Sequence, residues 1–135
     1  MKLYKFELEA FITFLHSLKL ERKSSRMRTK FKNILIEKLQ EFYEDMTEIN
    51  LTYSKKDEDG NPMIVDGKMV FSDDKKRLED LYELSYEIVG IVENEENIEM
   101  LLSVKESVLH HSPLEFEGDD ADKYDRFCEI VEQIN

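Results

Sequence analysis

The sequence predicts a mainly α fold of the α+β kind, with about five helices around one long central helix and a small β-hairpin near residues 63–71. Three observations carry this expectation. Apolar residues recur at spacings of three and four along most of the chain, as in helices that bury one face. Neither Gly nor Pro interrupts that spacing between Ser24 and Lys56, so one helix should be far longer than the rest. Finally, Asp66-Gly67 is flanked by β-prone residues, which is a strong short-range hairpin signal.

The chain of 135 residues fits one domain, 1–135, with no linker, internal repeat or low-complexity stretch. Its charged fraction of 37% exceeds the usual roughly 25%. That excess suits amphipathic helices with Glu/Lys-rich outer faces and narrow apolar stripes.

Residues 1–6 read as extended, and the helical pattern starts at about Glu7. Leu8, Phe11, Ile12, Leu15 and Leu18 then share a face, with Glu7 and Glu9 suited to the positive end of the helix dipole. Ser24 and Ser25 offer an N-cap for the long helix. Its apolar positions are Phe31, Ile34, Leu35, Leu39, Phe42, Met46, Ile49 and Tyr53. From Leu39 onward the steps alternate three and four, the spacing of a coiled-coil seam. A helix from Phe31 to Tyr53 would run roughly 35 Å at about 1.5 Å per residue, so it should be the spine of the fold.

Lys55-Lys56 and the breaker run DEDGNP end the spine. The hairpin follows, and it must lie against other parts of the fold, because an isolated hairpin is marginal in water. Ser72 is the expected cap of a third helix carrying Leu78, Leu81, Tyr82 and Tyr86. The stretch EIVGIV at 87–92 suits a short strand as well as continued helix. Asn94 should cap a fourth helix with Ile98, Leu101, Leu102, Val108 and Leu109 inward, ending before Pro113. A last helix, introduced by Gly118-Asp119-Asp120, places Tyr124, Phe127, Cys128, Val131 and Ile134 on one face.

Composition narrows the function classes. A net charge of −12 repels phosphates and anionic membrane surfaces, so neither nucleic acid nor membrane is an expected partner. It leaves open an acidic inhibitor that imitates nucleic acid and blocks a host nucleic-acid-binding or defence protein. Cys128 is the only cysteine, which suits a reducing cytoplasm. Glu7 and Glu9 interrupt the apolar start and no small-residue cleavage site follows, so no leader is expected. No apolar run approaches the roughly 20 residues of a membrane span.

Catalytic and metal signatures are equally sparse. There is no Gly-x-Ser-x-Gly, Walker loop, dinucleotide fingerprint or zinc spacing. Cys128 falls on an apolar helix face, where a thiol is inert. His110 and His111 point about 100° apart on a helix, so together they suit a helix C-terminus better than one metal ion. DEDGN at 57–61 lacks the spacing and bidentate Glu of a calcium loop. No cofactor, metal or enzymatic activity is expected.

The stretches KSSRMRTKFKNILIEKLQEF at 23–42, KKDEDGNP at 55–62 and EFEGDDADKYDRFCEIVE at 115–132 resemble a family of small proteins encoded by phages and prophages of Gram-positive bacteria. That family is known as domain of unknown function 1617. The resemblance implies a phage or prophage origin and brings no activity and no site residues.

One feature stands out against the acidic background. Lys19, Arg22, Lys23, Arg26, Arg28, Lys30 and Lys32 lie within 14 residues that hold a single acid, Glu21. Cations at the start of the spine oppose the helix dipole, at about 0.3–1 kcal/mol each when exposed, so something should offset them. Either they contact a partner, or they pair with carboxylates of the same chain, those of the last helix first. Arg22, Lys23, Arg26, Arg28 and Lys30 are the candidate contact residues. The expected function is protein–protein interaction with an unidentified phage or host protein, in virion or tail assembly or on a host factor. A direct nucleic-acid binder using the basic island and a structural homo-oligomer built on the seam are the further alternatives.

Overall fold

The computed structural model describes all 135 residues, Met1–Asn135. The chain opens with strand β1 (Lys2–Tyr4), a single 3-10 turn (Lys5–Glu7) and helix α1 (Leu8–Ser17). After a short extended link comes the spine, α2 (Arg22–Tyr53). Its 32 residues extend about 48 Å without a break. Strands β2 (Ile64–Val65) and β3 (Lys68–Met69), helix α3 (Asp74–Ser85), strand β4 (Ile88–Gly90) and helices α4 (Ile98–His110) and α5 (Gly118–Glu132) complete the order. None of the helices is long and apolar enough to cross a membrane.

The core gathers around the first half of the spine. Phe31 and Leu35 of α2 meet Leu8, Phe11 and Leu15 of α1, Met100, Leu101, Val104 and Val108 of α4, and Phe127, Ile130, Val131 and Ile134 from α5 and just beyond it. Phe11 lies edge-on to Phe31, at 6.1 Å between ring centroids, and stacks on Phe127 at 5.1 Å. β1 and β4 pair antiparallel, with Leu3 opposite Val89, and both of these side chains are buried in the same core. The middle of the stretch at 87–92, Ile88–Gly90, is therefore a strand, and its partner is the extended N-terminal segment.

Beyond Leu35 the spine is only partly covered. Along the predicted seam Phe42 is buried, whereas Leu39, Met46, Ile49 and Tyr53 are half-buried. This half carries α3, docked by polar contacts. The Tyr53 hydroxyl donates to Asp80 at 2.5 Å, and Arg77 donates to the side-chain carbonyl of Asn50 at 3.0 Å.

The hairpin turns where predicted. Asp66 and Gly67 take φ of 52° and 76°, the two positive values that a type I′ turn requires. Its support is the segment just after the spine: Lys55 donates to the Val70 carbonyl at 2.8 Å and accepts from the Met63 N–H at 2.7 Å. Arg77 lies 3.9 Å above the Phe71 ring and fastens the hairpin to α3.

Several local expectations shift. α2 starts at Arg22, so Ser24 and Ser25 lie inside its first turn rather than capping it. Glu21 stands at the cap position without a side-chain bond to the helix. Asp73, not Ser72, caps α3 by accepting the Lys76 N–H at 3.1 Å. Ser72 instead donates to the Tyr53 carbonyl, closing the hairpin against the end of the spine. Asn94 caps the turn that leads into α4, accepting the Asn97 N–H at 2.9 Å. Leu102 faces outward, and Met100, Val104 and Ser107 take inward positions on α4 that were not expected. Glu7 stands at the cap position of α1. It is buried and accepts two bonds, at 2.9 and 3.1 Å, from the Arg126 guanidinium of α5. The bond raises the Arg126 pKa further above its ordinary value.

Candidate protein-contact site

The basic island divides into side chains used by the fold and side chains left free. Arg28 belongs to the fold. From the second turn of α2 it reaches back to the end of α1 and donates to the carbonyls of Leu15 and Leu18, at 2.6 and 2.8 Å. Helix C-termini leave such carbonyls without intrahelical partners, and a cation suits the negative end of the dipole. Arg28 Nε is buried without a hydrogen-bond partner. Arg28 is therefore removed from the candidate contact residues. Lys32 is likewise engaged, 2.9 Å from the His16 ring nitrogen at the end of α1.

Lys23 pairs with Glu99 of α4 at 2.6 Å, with both side chains well exposed. Glu99 sits in the first turn of α4, where a carboxylate favours the dipole, and its contact with Lys23 offsets a cation at the corresponding end of α2. The hydrogen bond to Lys23 lowers the Glu99 pKa, and the same bond to Glu99 raises that of Lys23. An ion pair this exposed is largely screened by solvent, so it can open to a partner at little cost.

Arg22, Arg26 and Lys30 are exposed and form no ion pair or hydrogen bond within the chain. They follow each other at i, i+4 and i+8, so they share one stripe about 12 Å long on α2. Like charges at i, i+4 repel by about 0.2–0.5 kcal/mol per pair, and here two such steps sit at the helix end that disfavours cations. The acids of α5 do not reach them. The C-terminal helix spends its own ion pairs elsewhere, Arg126 bridging Glu7 and Glu129.

Other candidates resolve into turns and packing. His110 and His111 lie 3.9 and 3.8 Å from Glu106 at the exposed end of α4, and nowhere do three His, Cys, Asp or Glu side chains converge to hold a metal ion. Asp57 accepts the N–H groups of Asp59 and Asn61, at 2.9 and 3.0 Å, so DEDGN is a turn stabilised by its own aspartate. Burial raises the pKa of the half-buried Cys128, which disfavours the thiolate. A groove of about 570 Å³ between α1 and α5 is lined by Ala10, Phe14, Phe116 and Phe127, with Glu9, Asp120 and Lys123 among its polar lining. No Ser, Cys or His with a partnering base stands in it.

A second surface was hidden in the third helix. Leu78, Tyr82 and Tyr86 face outward, not inward, and only Leu84 of α3 is buried. Comparison with protein-family models, with curated proteins and with solved structures finds no match to this chain.

Proposed function

We propose that this chain is a non-enzymatic phage or prophage accessory protein of the bacterial cytoplasm. It acts by binding another protein, in virion or tail assembly or on a host factor. The Arg22–Arg26–Lys30 stripe, with Lys23 beside it, is the contact site. The observation that carries this reading is three exposed cations without partners in a chain that holds 31 acidic residues. A chain so rich in carboxylates has ample means to neutralise them internally and leaves them free. The phage origin rests on the resemblance of residues 23–42, 55–62 and 115–132 alone.

The stripe suits an acidic protein face better than nucleic acid, because the remaining surface would repel a long polyphosphate. Carboxylates on a partner helix at i, i+4 and i+8 would match its step of about 6 Å. Arginine forks grip carboxylates in bidentate fashion, which favours specificity over simple attraction. The test is affinity capture from phage-infected cells with the wild-type chain and with Arg22→Glu/Arg26→Glu/Lys30→Glu. A specific protein should be retained by the wild type, released by rising salt and lost by the variant, with the melting temperature kept. Equal retention by both chains sinks the assignment.

A further inference from the structure

We infer that the outer face of α3 is a docking surface for an amphipathic helix with basic flanks. It is independent of the basic stripe on α2. Leu78, Tyr82 and Tyr86 repeat at i, i+4 and i+8 and are 53%, 64% and 47% exposed. The apolar row does not stop at the helix end. Tyr86 packs against Phe6 at 5.0 Å and Tyr4 at 5.6 Å between ring centroids, and Phe6 is itself 48% exposed. Ile88, opposite Tyr4 in the β1–β4 register, adds a further exposed apolar side chain. Soluble chains scatter single exposed apolar residues, but a connected row of this kind marks a contact surface.

The rings are set in place before any partner arrives. Tyr82 and Tyr86 lie 4.6 Å apart, and Tyr4 stacks on Phe6 at 5.5 Å, so each ring supports the next. Rigid aromatic side chains lose little freedom on binding and supply much of the energy at protein interfaces.

Charge identifies the occupant. Glu79 and Glu83 lie beside Tyr82 on the same exposed face and take part in no ion pair; Lys75 is the one cation on that face, so its rim is net acidic. Glu87 beyond them is held by Lys5 at 2.8 Å. An apolar ridge rimmed by unpaired carboxylates complements a helix with apolar residues at i, i+3, i+4 and i+7 and Lys or Arg beside them. A second copy of this chain is a poor match, since α3 against α3 would set four unpaired glutamates against only two lysines, Lys75 from each copy. The cationic stripe of α2 offers no exposed apolar side chain to cover the tyrosines, because Met27 is half-buried.

The test uses a synthetic helical peptide with leucines at those positions and arginine flanks, and a twin with glutamate flanks. Amide shifts on titration should map the arginine peptide to residues 4–6 and 78–88. The glutamate twin should bind at least about tenfold more weakly. Tyr82→Ser and Glu79→Lys/Glu83→Lys should each weaken the arginine peptide at least about tenfold, as expected at an aromatic hot spot and its charged rim. Tyr82 is mostly exposed, so its variant should melt like the parent. Glu95→Lys/Glu96→Lys makes the same change of net charge in the turn before α4, and binding should survive it. Equal affinity for both peptides, shifts centred elsewhere, or equal losses from the two charge-reversed variants would overturn the inference. So would a dimer in sedimentation that Tyr82→Ser dissociates, which would give the surface to a second copy.

Discussion

Replacing Arg28 by Met should destabilise the chain, and replacing its neighbour Arg26 should not. Arg28 makes two charge-assisted bonds to the last carbonyls of α1, at 2.6 and 2.8 Å. A hydrogen bond to a charged group contributes about 1.5–3 kcal/mol net, so two could contribute roughly 3–6. Two effects reduce the loss. Water can reach the link at 19–21 in the variant, and removing the unpartnered Nε relieves a desolvation penalty of about 1–3 kcal/mol. The expected net loss is about 1.5–3 kcal/mol. At about 2.1 cal/mol/K of unfolding entropy per residue, this chain should melt roughly 5–10 °C lower. Arg28→Lys should fall between, because an ammonium can replace the single Nη1 that serves both carbonyls but loses the rest of the guanidinium, with its Nη2 contact to Ser25. Arg26→Met, exposed and unpaired, should stay within about 0.5 kcal/mol of the parent. Calorimetry of the four chains decides the matter. An Arg28→Met variant that melts within about 1 °C of the parent would refute the structural role assigned to this guanidinium.

Two further outcomes follow from local geometry. Gly67→Val should destabilise the hairpin by forcing a β-branched residue to a φ of 76°, and amide exchange in residues 63–71 should accelerate while the core stays protected. Unchanged exchange there would mean that the turn can be rebuilt at no cost. Bonds from Tyr53 first and Lys76 second hold the Asp80 pKa below its ordinary value. Its stabilising effect is therefore complete above about pH 4 and fades as the pH falls through the depressed value. Asp80→Asn should flatten the acid limb of thermal stability below about pH 4; an acid limb identical to the parent's would remove Asp80 from the docking of α3.

Elements specified by local chemistry were legible in the sequence, and those set by tertiary contact were not. The spine needed only spacing and the absence of Gly and Pro, and it runs unbroken from Arg22 to Tyr53. The hairpin needed only Asp66-Gly67. The helix starts failed where distant partners intervened. Ser24 and Ser25 have cap chemistry, yet the link from Leu18 to Glu21 is drawn in by Arg28, and the helix opens before either serine. On α3 the apolar spacing was correct and its direction was not. Leu78 and Tyr82 recur as a core face would, but Glu79 and Glu83 share their side of the helix, and Leu81 and Leu84 form the inner row. Two competing apolar rows on one short helix cannot be ordered by period alone.

The basic island shows the same limit in electrostatic form. Its composition cannot separate Arg28 from Arg26, two residues away, because the difference lies in where a 3.6-residue period points each side chain. Position 28 faces the end of α1 and finds two carbonyls; position 26 turns about 200° around the helix and meets solvent. The cost of cations at a helix start is thus met in three ways. Arg28 is repaid by the carbonyls of α1 and Lys23 by Glu99, whereas Arg22, Arg26 and Lys30 form no ion pair or hydrogen bond within the chain, Glu99 acting on Lys30 only from a distance. Only that last group carries an uncompensated repulsion that an acidic partner would relieve. The proposed contact site therefore lies on these three residues and not on the island as a whole.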